Sequence, residues 1–199
     1  MYIPQSFEEN DKKRIIALAN EYAFATLVTS SEGVPFASHL PLMIEENENP
    51  VVFGHMAKAN EQWHQLKTNK KVLVIFQGPH AYISPSNYES PGVPTWNYAS
   101  VHMYGEAEVL ESESKLRWII ESLTKKYEKP QLTPWAPEYP AKMLGAIVGF
   151  KIKINCIEAK FKLSQNRSEG DRKNIIINLT RSGGESAKGV ATLMRENEL

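Results

Sequence analysis

Short β-forming runs separated by polar turns dominate the first third of the chain. They cover 23–29, 36–44 and 51–54, and they are interrupted by Ser31-Glu32-Gly33 and by the polar stretch 45–49. Apolar runs of this length, bounded by turn residues, are typical of strands. The pattern therefore predicts an antiparallel meander.

Three more strands are predicted further along the chain, over 71–77, 96–110 and 146–157. Within the first of them, the continuous apolar run Val72 to Phe76 predicts a strand buried on both faces. Four prolines and Gly92 lie between residues 79 and 94, and this composition predicts a loop.

Helical spacing of apolar residues predicts five helices, over 7–22, 57–69, 112–128, 168–181 and 186–197. Six or seven short strands with few crossover helices favour an antiparallel barrel over a doubly wound sheet. We expect a mainly β protein of the α+β class with N-terminal and C-terminal helical additions. It forms one domain over 1–199, with a helical C-terminal extension from about residue 166.

The composition is that of an ordinary globular protein, with 199 residues, 42% hydrophobic and 10% aromatic side chains. The longest apolar run is too short to span a bilayer, and the early Pro4 and Glu8 do not resemble a secretory signal. A single cysteine, Cys156, excludes an intramolecular disulfide and a zinc site built from cysteines. We expect a cytoplasmic protein.

The formal net charge is zero, but basic residues concentrate near the C-terminus. Residues 151–181 carry eight lysines and arginines against three acidic residues. Such a concentration can meet the phosphates of a nucleotide or of a nucleic-acid backbone, although a solvated surface has the same composition.

Familiar catalytic and nucleotide motifs are missing. The chain has neither a phosphate loop nor a Gly-x-Gly-x-x-Gly turn, and Ser84, Ser86 and Ser164 lack the context that activates a nucleophile. Five histidines are spread over different predicted elements, namely His39, His55, His64, His80 and His102. Each is either a metal or haem ligand or an ordinary hydrogen-bonded side chain.

The stretch Val51 to Trp63 carries the clearest local chemistry. A predicted strand ends at Gly54, and Lys58 follows at the start of the predicted helix 57–69. Free backbone N–H groups and a lysine at a helix start are suited to a phosphate monoester. Several aromatic residues could stack on a planar ring: Trp63, Tyr82, Tyr88, Trp96 and Tyr98.

Four blocks carry a resemblance to a known family. They are GHMAKANEQW, VLVIFQGPHAYISPSNY, VPTWNYASVHMYG and VGFKIKINCIEAKFKLSQNRSEGDR. In this order they resemble the PaiB family, bacterial negative transcriptional regulators of sporulation and degradative-enzyme (protease) genes, over about residues 1–180. More remotely, the chain resembles the FMN-binding split β-barrel class, which includes pyridoxamine-phosphate oxidases and flavin reductases. The resemblance implies an antiparallel FMN-binding split barrel and a homodimer whose flavin site forms where the subunits meet.

The resemblance also implies a set of cofactor-binding residues. The hairpin Gly33-Val34-Pro35 precedes a flavin-contacting strand, and Met56-Ala57-Lys58 matches a phosphate-binding segment. The implied set is Ser38, His39, Leu40, Pro41, His55, Met56, Ala57, Lys58, Trp96, Asn97, Ser100 and Lys162. In this class an arginine and a lysine on the strands usually hold the FMN phosphate, and their positions fall near Ser38 and Met43 here. Of the charged phosphate-binding residues, the resemblance therefore leaves Lys58, with Lys162 as a second basic group.

The sequence is compatible with several functions. The leading hypothesis is a PaiB-like regulator with FMN, without catalytic or metal-binding residues. The alternatives are a flavin-dependent oxidoreductase, a haem-binding protein that uses His39 or His55, and a direct DNA binder that uses the helix 168–181. Fold alone does not choose among them.

Overall fold

The computed structural model describes residues 1–135 and 139–197. Its strands form one seven-stranded sheet in the order β2-β1-β5-β6-β7-β4-β3. The strands are β1 (Phe24–Ser31), β2 (Val34–Pro41), β3 (Met43–Glu45), β4 (Val51–Ala57), β5 (Lys71–Ile83), β6 (Thr95–Leu110) and β7 (Ile147–Lys162). β1 pairs antiparallel with β2 and β5, and β4 pairs antiparallel with β3 and β7. The predicted antiparallel α+β class is confirmed.

Six α-helices and two short 3-10 turns accompany the sheet in the described part of the chain. The helices are α1 (Lys12–Glu21), α2 (Gln62–Thr68), α3 (Glu113–Glu128), α4 (Ala141–Leu144), α5 (Glu169–Ser182) and α6 (Glu185–Glu196). The 3-10 turns are Gln5–Phe7 and Pro85–Asn87. None of the described helices is long and apolar enough to cross a membrane.

Side-chain caps account for two helix starts. Ser168 accepts a hydrogen bond from the Asp171 N–H and opens α5. Asp11 accepts from the Lys13 N–H at 2.8 Å, so α1 begins at Lys12 rather than at the predicted residue 7. The acidic residues before it therefore lie outside the helix.

The predicted helix 57–69 is wrong over its first third. β4 continues to Ala57, because its pairing with β7 runs on to the Ala57 and Ile147 pair. α2 begins only at Gln62. Lys58 therefore lies in the turn between a strand and a helix, not at a helix start.

The strand β5 differs from its prediction in burial and in length. Its first half alternates between buried and half-exposed positions, so the predicted burial on both faces is wrong. It also continues to Ile83, although residues from 79 onward were expected to form a loop. Gly78 and Pro79 are consecutive buried residues, so the alternation of buried and exposed positions shifts by one residue at this point. Such a shift is typical of a β-bulge, and a bulge is a position at which a strand tolerates proline.

The chain divides into two compact units. The first comprises Met1–Leu18, Gln77–Val101 and Glu158–Leu199, and the second comprises Ala19–Phe76 and His102–Ile157. In the second unit α3 packs Ile119 and Leu123 with Leu110, against the partly buried Met43 and Phe53. In the first unit the core includes these side chains with no exposed surface: Ile83, Ala99, Val101, Ile175, Val190 and Ala191.

Candidate functional site

A tight hairpin positions the first predicted site segment. Glu32 and Gly33 form the turn between β1 and β2, with φ of 51° and 80°. Two consecutive positive φ values suit a two-residue hairpin and explain the glycine. β2 is one of the two edge strands in the order of the sheet, and Ser38, Leu40 and Pro41 are half-buried while the rest of β2 is exposed.

Asn60 fastens the turn after β4 to this edge strand. Its side-chain Nδ2 donates to Ser38 Oγ at 2.8 Å, and its Oδ1 accepts from the Gln62 N–H at 3.0 Å. The second unit thus brings the predicted segments 38–41 and 55–58 together. Sequence reasoning missed Asn60, although an asparagine two residues before a helix is a recognisable turn former.

Gln62 is a second residue that the sequence did not single out. Its side chain has no exposed surface, and Nε2 donates to Leu27 O at 3.0 Å, Thr29 Oγ1 at 3.1 Å and Phe36 O at 3.3 Å. A buried amide that donates to both strands of the hairpin locks α2 against β1 and β2.

We expect Gln62→Leu to lower the free energy of unfolding by about 1–3 kcal/mol, because buried acceptors lose their donor. Urea denaturation measures this loss. The matched control is Gln131→Leu, an exposed glutamine of the same unit, which should change stability by less than about 0.5 kcal/mol. Equal losses in the two variants would contradict the role of Gln62.

Lys58 is held by its backbone and keeps its ammonium available. Its N–H donates to Ala146 O at 2.9 Å, and its carbonyl accepts from the Trp63 indole N–H at 2.9 Å. Within 1–135 and 139–197, no residue pairs with or hydrogen-bonds its exposed ammonium. An anion would therefore meet a positioned lysine, without the helix N–H groups that the sequence predicted.

His55 offers an unsatisfied ring nitrogen in the same segment. It lies in β4 opposite Gly149, and its buried Nδ1 has no hydrogen-bond partner among the described residues. Burial lowers its pKa below the ordinary value, so the ring is neutral near pH 7. Its neighbours differ from it: Met56 is only 3% exposed and lies in the core, whereas Ala57 is exposed.

We expect the His55 environment to make stability fall as pH drops below about 6.5. The unfolded chain binds a proton there, while folded His55 resists it until its lower pKa is reached. His55→Gln should therefore lose less stability than the wild type between about pH 7.5 and pH 5.5, as measured by urea denaturation. The same pH dependence in both proteins would contradict this prediction.

The other predicted residues, Trp96, Asn97, Ser100 and Lys162, lie in the first unit. Asn97 has no exposed surface and donates to Ser164 Oγ at 2.9 Å, and Ser100 is 4% exposed. Both are parts of the core. Trp96 is 53% exposed, and its ring centroid lies 5.9 Å from that of Tyr82.

Lys162 is held against the strand that carries Trp96. Its Nζ donates to Trp96 O at 2.7 Å and to Thr95 Oγ1. Burial, followed by the nearby charges of Lys160 and Arg167, lowers its pKa below the ordinary lysine value. The ammonium of Lys162 is therefore already hydrogen-bonded to residues of the first unit.

The comparisons with known proteins decide the family. The family model described as "Putative FMN-binding domain" matches residues 1–156. The protease synthase and sporulation protein PAI 2 of Bacillus subtilis (strain 168) is 43% identical, over 98% of this chain and 97% of its own. The chain belongs to the PaiB family. The predicted family is thereby confirmed.

Solved structures show the fold of this PaiB protein. The flavocytochrome Anf3 from Azotobacter vinelandii has a TM-score of 0.62 at 17% identity, and the match covers 86% of this chain and 78% of that one. The FAD and Heme binding protein from Mycobacterium smegmatis has a TM-score of 0.62 at 17% identity, with 78% and 73% covered. The fold is that of the flavin-binding split-barrel proteins, as predicted.

The second unit of the PaiB chain fits a flavin mononucleotide in its donor chemistry. Lys58 supplies an unpaired ammonium for a phosphate monoester, and His55 Nδ1 supplies an unsatisfied hydrogen-bonding atom. Asn60, two residues after Lys58, hydrogen-bonds Ser38 of β2. These observations agree with the FMN-binding domain that the family model matches.

The basic segment 151–181 of the PaiB chain is less available than its composition suggests. Lys151 pairs with Glu108 at 3.0 Å, and Lys173 pairs with Glu169. Arg172 donates to Arg167 O at 2.7 Å. The segment also spans both units, so its charges do not all belong to one helix face. Direct contact with DNA through this segment stays a prediction.

Proposed function

We propose that this PaiB protein is a negative regulator of sporulation and protease genes whose split barrel binds FMN in the second unit. The observation that carries the proposal is the Asn60 bridge, which fastens the turn with the available Lys58 ammonium to Ser38 of β2. The similarity to the protease synthase and sporulation protein supports the regulatory role, and the match to the FMN-binding domain supports flavin binding.

Each residue of the proposed site has a distinct task. Lys58 binds the phosphate as a charged donor, and neutral His55 hydrogen-bonds a polar atom of the ligand through Nδ1. Ser38 keeps its hydroxyl hydrogen for a ligand, because Ser38 Oγ accepts from Asn60. Bound FMN would supply hydride or one-electron chemistry, which a regulator can use to sense redox state.

Flavin fluorescence and absorbance titrations test this proposal, with FMN and haem added separately to the full chain. Binding of FMN should quench the flavin fluorescence and shift its absorbance bands. If added haem gives the spectrum of a protein-bound haem while added FMN leaves the flavin spectra unchanged, the haem alternative is favoured. Unchanged flavin spectra at every FMN concentration would contradict the proposal.

We also propose that the protein is a two-fold dimer. Trp96 and Tyr82 leave about half of their surface exposed on the first unit, and exposed aromatic pairs are enriched at interfaces. Light scattering should give roughly 45 kDa, about twice the chain mass. Trp96→Asp should lower that mass, and a monomeric wild-type protein would contradict the proposal.

A further inference from the structure

The second unit contains a cavity of about 370 Å³ beside Lys58. It lies between the end of β6, the first turn of α3 and the start of β7. Its apolar wall includes Val109, Leu110, Leu116, Leu144, Ile147 and Val148. Its volume is at the lower end of the range for small-molecule sites. The wall therefore suits a small ligand with an apolar body.

The charged residues at the cavity are paired, with one exception among the described residues. Lys67 pairs with Glu111 at 2.8 Å, and Glu113 pairs with Arg117 at 3.4 Å. Lys58 has no such partner among the described residues, and it lines the same cavity. The charge left for a ligand is one positive charge.

The backbone of Lys58 is anchored beside the cavity, so the side chain that carries the charge starts from a fixed point. The Lys58 N–H bonds to Ala146 O, next to the wall residue Ile147. The Lys58 carbonyl bonds to the Trp63 indole, which lines the cavity as well. The main chain of Lys58 is thus tied to two sides of the cavity before any ligand arrives, and the side chain can bring its ammonium to a ligand from there.

We propose that this cavity binds a small apolar carboxylic acid, whose carboxylate pairs with Lys58 and whose body packs on the apolar wall. A neutral apolar ligand would leave the ammonium unpaired, and a cation would be repelled by it. The site does not depend on the flavin. Where FMN also uses Lys58, the two anions oppose each other's binding, so the acid acts as an effector.

Calorimetric titration of the full chain with 4-phenylbutyrate, in the absence of FMN, tests the proposal. The uncharged control ligand is 4-phenylbutanamide. We expect the acid to bind at least about tenfold more tightly than the amide. Lys58→Met keeps the apolar stem, so it should weaken the acid about tenfold and leave the amide unchanged.

Lys67→Met is the matched comparison, because its charge at the same cavity is already neutralised by Glu111. It should weaken acid binding clearly less than Lys58→Met does. Equal effects of the two variants, equal binding of acid and amide, or no binding of the acid would each overturn the proposal. FMN titrations of separate samples report on the flavin site, so either proposal can fail alone.

Discussion

Lys58→Met is expected to weaken FMN binding about tenfold to a hundredfold, or about 1.5–3 kcal/mol, and to change riboflavin binding little. The ammonium has no partner in the described structure, so its full charge is available to the phosphate of FMN. Riboflavin lacks the phosphate, so its affinity should change little. Fluorescence titration with both flavins measures the difference.

Lys67→Met is the control for this experiment. Lys67 lies nearby in the second unit, but its ammonium is paired with Glu111 at 2.8 Å and lies 5.3 Å from the Trp63 ring centroid. Removal of the Lys67 charge should lower the affinity for FMN much less than removal of the Lys58 charge does. If Lys58→Met weakened FMN and riboflavin by the same factor, Lys58 would not be the phosphate ligand.

Gly105→Ala is expected to lower the free energy of unfolding by about 3 kcal/mol or more. A Cβ atom at Gly105 would lie 2.3 Å from Lys153 O and 2.9 Å from Ile152 Cγ2. The first contact is with backbone of the neighbouring strand β7, which cannot move away without disturbing the sheet. Thermal or urea denaturation measures the loss.

The matched control is Gly184→Ala, where an added Cβ has no atom within 4 Å. Gly184 has φ of −67° and is the N-cap of α6, where glycine is preferred to alanine, so alanine should cost about 1 kcal/mol, well below the loss at Gly105. Similar losses at the two glycines would show that the close approach of β6 and β7 is not what requires Gly105.

The sequence by itself determined the elements that local chemistry specifies. The strand predicted over 96–110 and the helix predicted over 112–128 match β6 and α3 within one residue. The Ser168 cap and the two glycines after α5 likewise mark that helix at both ends. Caps, turn residues and apolar periodicity act within a few residues of one another, so they can be read from one segment.

The site was only partly visible in the sequence. Lys58 and His55 lie in a segment that the family resemblance singled out, and their chemistry follows from residue type. That Met56, Asn97 and Ser100 turn into the core depended on which face of each strand packs inward. A shift of one residue in the pairing register moves every side chain of a strand to the opposite face of the sheet, and no local sequence pattern fixes the register of these strands.

Only the tertiary structure decided where β4 ends and what holds Lys58. Residues 57–61 carry a helical pattern, but pairing with β7 extends the strand to Ala57 and the Ser38 bond captures Asn60. Those partners lie about 90 and about 20 residues away along the chain, beyond the reach of any local signal. Long-range hydrogen bonds therefore overrode local helix propensity and placed Lys58 in a turn beside the cavity.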